Sequence, residues 1–120
     1  MKKIIAVLVL VVGFAFSSNA QEAKTVTLQQ TKGEFTQKAL TLSEGTYVFQ
    51  IENTNVGKDV GFVLAPQGKL SAEHHIKEAY VTAPVSNNTT GTSKKVTLSK
   101  GTYTYFCPLN KTPQYTLTVK

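Results

Sequence analysis

The residues of this 120-residue chain whose types could do chemistry are few: one cysteine, Cys107, and one pair of adjacent histidines, His74 and His75. A thiol and an imidazole can work together in two ways. As nucleophile and base they attack an electrophilic substrate, which also requires a donor site for the developing oxyanion. As thiolate and neutral nitrogen they ligate a transition metal. The spacing locates neither a base within reach of Cys107 nor an oxyanion site, and a thiol peroxidase would need an arginine, which this chain lacks. The seven acidic residues are scattered singly, so no carboxylate pair for hydrolysis emerges. Zinc motifs and glycine-rich phosphate loops are absent as well. The expectation is a protein that is not an enzyme. Because a lone cysteine has no partner for a disulfide within the chain, Cys107 is buried, reactive or ligating.

The elements that must position these groups are mostly strands. Tyr103, Tyr105 and Cys107 alternate onto one face, with Thr104 and Phe106 on the other, and Pro108 then ends the hydrogen-bond ladder. The same period of two runs through Val26 and Leu28, Leu40 and Leu42, Tyr47, Phe49 and Ile51, Val96 and Leu98, and Tyr115, Leu117 and Val119. Turn-forming clusters separate these runs, among them Asn53 to Gly57, Asn87 to Gly91 and Ser99-Lys100-Gly101. Short strands at this spacing predict a β-sandwich. One segment repeats: TLSEGTY at residues 41–47 returns as TLSKGTY at 97–103, which implies two equivalent corners.

Residues 71–80, SAEHHIKEAY, break the pattern, because Ala72, Ile76, Ala79 and Tyr80 recur at helical spacing. One short helix is predicted there, with Ser71 as N-cap and with Glu73–Lys77 and His74–Glu78 as i,i+4 pairs. Adjacent helical residues point about 100 degrees apart, so His74 and His75 cannot easily share one ion.

Residues 1–20 are a separate object: Lys2 and Lys3, an apolar run from Ile4 to Phe16, and the small-residue end Ser18-Asn19-Ala20. This is the pattern of a secretory signal peptide, too short for the roughly 20 apolar residues of a membrane span. The expected mature domain, residues 21–120, is then periplasmic or secreted and carries no membrane anchor. Losing Lys2 and Lys3 lowers the formal charge from +6 to +4. With no arginine, the preferred fork for phosphates and base edges, nucleic acid is not an expected partner.

The strand–cysteine–loop–strand order in GTYTYFCPLNKTPQYTLTVK, preceded by FTQKALTLSEGTYVFQIENTNVGKDVGFVLAP, resembles the cupredoxins, the blue copper proteins. The resemblance implies an all-β, Greek-key β-sandwich with one short helix in a long connection. It also implies copper at Cys107, delivered by an aromatic strand after a glycine turn. A type 1 copper site takes a thiolate, two imidazoles and a weak axial donor. The family's spacing puts one histidine three residues after the cysteine, where this chain has Asn110, and the other at the position of Val60, beside Asp59. The axial place falls near Pro113 to Tyr115, where Gln114 is the weak donor. A copper site here would therefore be built from Cys107 with His75 or His74 and Gln114, serving a protein partner in metal or electron transfer. The other reading is a metal-free interaction module that kept the scaffold and lost the site.

Overall fold

The computed structural model describes residues 23–120, so the expected signal peptide at 1–20 lies outside the described residues. Eight strands follow one another: β1 (Lys24–Thr31), β2 (Glu34–Phe35), β3 (Ala39–Leu42), β4 (Gly45–Asn53), β5 (Val63–Pro66), β6 (Thr90–Leu98), β7 (Gly101–Phe106) and β8 (Tyr115–Val119). They form two four-stranded sheets, ordered β2-β1-β4-β6 and β3-β8-β7-β5. The pairs β1–β4 and β3–β8 are parallel, and the remaining neighbours are antiparallel. The inward residues of both sheets meet in one core that includes Leu28, Phe35, Phe49, Ile51, Leu64, Tyr105 and Leu117, all fully buried.

The repeated heptapeptide does form two equivalent corners, one in each sheet. Tyr47 Oη donates to the Ser43 carbonyl at 2.6 Å, and Tyr103 Oη donates to the Ser99 carbonyl at 2.8 Å. Each ring folds back over the glycine that opens its own strand, Gly45 or Gly101. Strands β4 and β7 thus leave their corners in the same way.

Strand β6 contains a bulge that the alternation alone does not reveal. Val48 pairs with Lys95 but Gln50 pairs with Thr92, so two residues of β6 face Phe49. The Ser93 hydroxyl fills the gap, accepting from the Phe49 N–H at 2.9 Å and donating to the Lys94 carbonyl at 2.7 Å. The bulge lets Lys94 and Lys95 both face solvent while Val96 and Leu98 return to the core.

The helix expected over Ser71 to Tyr80 is not formed. Two single 3-10 turns, Ala72–His74 and Lys77–Ala79, take its place, and the backbone between them is extended at His75 (ψ 139°) and Ile76 (ψ 98°). The reason is tertiary: the Ile76 N–H donates to the Leu64 carbonyl at 2.8 Å, tying the segment to β5. Neither anticipated i,i+4 pair forms, and His74 sits 3.3 Å from the Glu73 carboxylate instead. The Lys77–Ala79 turn packs on both β5 and β6, one edge strand from each sheet. It closes that side of the sandwich, and β5 is consequently buried on both faces, Val63 and Ala65 as well as Leu64.

Further along the same side, Val60 and Val85 exchange backbone hydrogen bonds, each 2.9 Å long. Gly91 in β6 makes room for this bridge: a Cβ there would lie 2.6 Å from Val85 Cγ2. Valine is stiff about χ1 and cannot swing aside freely. Gly91→Ala is therefore expected to destabilise the domain by about 1–3 kcal/mol through overpacking, read as a lower urea midpoint with an unchanged slope. An unchanged midpoint would show that Val85 has room the structure does not give it.

Candidate functional site

Strand β7 delivers Cys107 to one end of the sandwich, with its side chain on the same inward face as Tyr105, and both are fully buried. The loop that follows closes on its own first residue. The Cys107 N–H donates to Thr112 Oγ1 at 2.9 Å, and the Thr112 N–H donates to the Cys107 carbonyl at 3.2 Å. Closing so short a loop places Lys111 in the left-handed region, at φ 53°.

Two backbone donors point at the sulfur. The Gly61 N–H lies 3.2 Å and the Asn110 N–H 3.3 Å from Cys107 Sγ. Sulfur is a weak acceptor, but a buried N–H left without any acceptor would cost roughly 1–3 kcal/mol. The thiol therefore answers two donors that have no other partner among the described residues.

Asn110 is committed to the opposite side. Its Oδ1 accepts from the Gly33 N–H at 2.9 Å, while its Nδ2 donates to Gln30 Oε1 at 3.1 Å and to the Thr31 carbonyl at 2.8 Å. Gln30 is itself fully buried, and its Nε2 donates to the Gly61 carbonyl at 2.8 Å. Gln30 did not stand out among the chemistry-bearing residues. The signal for it was the alternation of β1, in which Val26, Leu28 and Gln30 share the inward face.

Beneath this end lies an aromatic cluster. Phe35 meets Tyr105 and Tyr115 edge to face, with ring centroids 5.3 and 5.6 Å apart, and Phe62 packs on Phe49 at 5.0 Å. The Tyr105 hydroxyl donates to the Gln37 carbonyl at 2.6 Å, tying β7 to the connection between β2 and β3. Burial, with a smaller contribution from Tyr115, pushes the Tyr105 phenol up to about 12.

The histidines stand elsewhere. His74 is exposed on the surface. His75 is half-buried between Tyr80 and Phe106, the residue that points away from Cys107 on β7. Its Nε2 lies 2.8 Å from the Leu70 carbonyl, which can only accept, so Nε2 carries a proton. In the neutral ring Nδ1, 2.7 Å from Tyr80 Oη, then accepts from that hydroxyl, and neither nitrogen is left for a metal. Gln114 is exposed at the far end of the loop. Among the described residues no three His, Cys, Asp or Glu side chains come together in a way that would hold a metal ion. An apolar groove of about 380 Å³ opens beside the thiol, lined by Gly61, Phe62, His75, Tyr80, Pro108 and Leu109. Leu109, at 47% exposure, is the large apolar side chain most open to solvent among the described residues.

The sequence pattern of the cupredoxin-like domain matches residues 4–119. The chain belongs to the cupredoxin-like family. No curated protein matches this cupredoxin-like chain. Solved structures with the same fold include auracyanin B, at 23% identity and a TM-score of 0.64, covering 82% of this chain and 89% of that one. Auracyanin A, a "blue" copper protein from the green thermophilic photosynthetic bacterium Chloroflexus aurantiacus, is 19% identical with a TM-score of 0.63, covering 82% of this chain and 100% of that one. The dithionite-reduced auracyanin of Roseiflexus castenholzii is 15% identical with a TM-score of 0.63, covering 82% and 98%.

A cupredoxin-like scaffold invites copper, but the residues present do not fit a blue copper centre. Such a centre needs two imidazoles beside the sulfur. At the places where the family's spacing puts them stand Val60, an aliphatic side chain fully buried in the core, and Asn110, whose side-chain oxygen and nitrogen are both engaged by the β1–β2 hairpin.

The raised Tyr105 phenol gives this cupredoxin-like domain a pH dependence. An unfolded tyrosine ionises near pH ~10, whereas the folded one stays neutral to about 12. The stabilisation is fully present below pH ~10 and is lost as the pH rises towards 12, because only the unfolded chain sheds its proton in that window. Urea midpoints are expected to fall more steeply between these values in the wild type than in Tyr105→Phe, which starts lower for want of the bond to Gln37. Parallel curves would place the Tyr105 ionisation in its ordinary range.

Proposed function

We propose that this protein is an exported cupredoxin-fold module that acts by binding a partner, without a resident blue copper centre and without enzymatic activity. The observation that carries this reading is the use of Asn110: the amide at the place of a ligand histidine is spent on Gly33, Gln30 and Thr31, facing β1 and β2. The apolar filling of the other imidazole place by Val60 agrees with it. Export rests on the sequence of residues 1–20. Among the described residues no helix is long and apolar enough to cross a membrane.

A second reading is favoured by the two N–H groups directed at Cys107 Sγ, donors that suit a metal-bound thiolate. In it the protein holds copper through Cys107, with His75 or His74 and Gln114 as co-ligands, and passes metal or electrons to a protein partner. Auracyanin A, a blue copper protein of the same fold, lends this reading support. It requires His75 to give up its bond to Tyr80 or to Leu70.

A copper titration of residues 21–120, reduced and free of tags, separates the two. Visible absorption follows copper(II), and a competing chelator follows copper(I). The metal-free reading expects no stoichiometric binding in either state and no intense colour. One equivalent held tightly by the wild type and lost in Cys107→Ser would overturn it in favour of the second reading.

A further inference from the structure

The three segments that meet at the thiol come from distant parts of the chain: the end of β1 with the turn to β2, the Gly61 segment, and the Cys107–Thr112 loop. One chain of hydrogen bonds, buried or part-buried, joins them. Gln30 Nε2 reaches the Gly61 carbonyl, Gln30 Oε1 accepts from Asn110 Nδ2, and Asn110 also takes Gly33 and Thr31. The N–H groups of those same two residues, Gly61 and Asn110, then converge on Cys107 Sγ. Gln30 and Asn110, 0% and 5% exposed, are among the few polar side chains buried among the described residues, and they bond to each other.

We infer that the Gln30–Asn110 pair is a polar clamp that closes this end of the sandwich in place of an ion, making Gln30 the residue that positions the two N–H groups on the thiol. A metal ion would hold such segments by drawing side chains from each of them onto one point. Here a carboxamide does so, because its one acceptor and one donor reach two different segments at once. The physical consequence is a closed thiol. A lone cysteine in an oxidising compartment is exposed to disulfide exchange and oxidation wherever solvent reaches it, and reactivity follows access. With the clamp in place, the sulfur is fully buried and its neighbours cannot part without breaking the hydrogen bonds of Gln30 and Asn110.

This inference rests on the metal-free reading, and its test is run in the presence of a chelator so that the two can fail separately. The rate at which an aromatic disulfide reagent labels Cys107 is measured in native wild type, in Gln30→Met, which keeps length but loses both polar contacts, and in Ser93→Ala. Ser93 lies in the bulge of β6, outside the clamp, and serves as the control for general loss of stability. Urea midpoints are measured alongside. Gln30→Met is expected to speed labelling at least ten-fold beyond what its loss of global stability accounts for, whereas Ser93→Ala speeds it only in proportion. Labelling in Gln30→Met that simply tracks stability overturns the clamp.

Should Gln30→Met fail to fold, amide exchange in the wild type decides the matter. The Gly61 and Asn110 N–H groups are expected to exchange with the same opening constant as the thiol is labelled. Protection at Gly61 that outlasts labelling overturns the clamp as well. Copper(I) binding by the wild type, measured separately without chelator, would remove the metal-free reading and leave the labelling result to stand or fall by itself.

Discussion

Everything at the thiol end depends on one constraint, which is that buried polar groups must find partners. Removing a sulfur, two carboxamides and several backbone groups from water would cost several kcal/mol if they were left unpaired. The structure meets that demand with a single connected set of hydrogen bonds running from Gln30 through Asn110 and Gly61 to Cys107 Sγ. The set spans nearly the whole length of the domain in sequence, so it can form only when both sheets are in register.

The sheets supply that register. The Gly45 and Gly101 corners launch β4 and β7 identically, one in each sheet, with a tyrosine folded back to its own corner. Between them the aromatic cluster around Phe35 fastens one sheet to the other, and the Tyr105 bond to Gln37 ties β7 to the β2–β3 connection. The two extended crossings at the open side, Ile76 on Leu64 and Val60 on Val85, complete the enclosure. What is a long connection in the chain becomes a wall along the β5 and β6 edges.

Membership of the cupredoxin-like family and a fold shared with auracyanins fix the scaffold, and a scaffold does not by itself fix chemistry. On that scaffold this chain carries a cysteine at the end of β7, a short loop that closes on it, and two N–H groups directed at the sulfur. By the family's spacing, Val60 and Asn110 stand at the two positions where imidazoles are expected. The Asn110 side chain is bonded to Gly33, Gln30 and Thr31 of the β1–β2 hairpin, so that position has structural partners of its own.

The sequence by itself determined the strands, the sandwich and the inward direction of Cys107, because period-two alternation is set by backbone geometry and survives without knowledge of any neighbour. It also determined the twin corners, since two heptapeptides identical at six of seven positions meet the same local demands twice. Helical spacing in residues 71–80 misled, because the competing bond from Ile76 to Leu64 is long-range and outweighs a weak local preference. The bulge at Ser93, the capture of His75 by Tyr80 and Leu70, and the joining of Gln30 to Asn110 were decided by tertiary structure alone. Each is a hydrogen bond whose partner is chosen by three-dimensional proximity. Alternation could place Gln30 on the inward face, but only the assembled sandwich could bring Asn110, 80 residues away, to meet it.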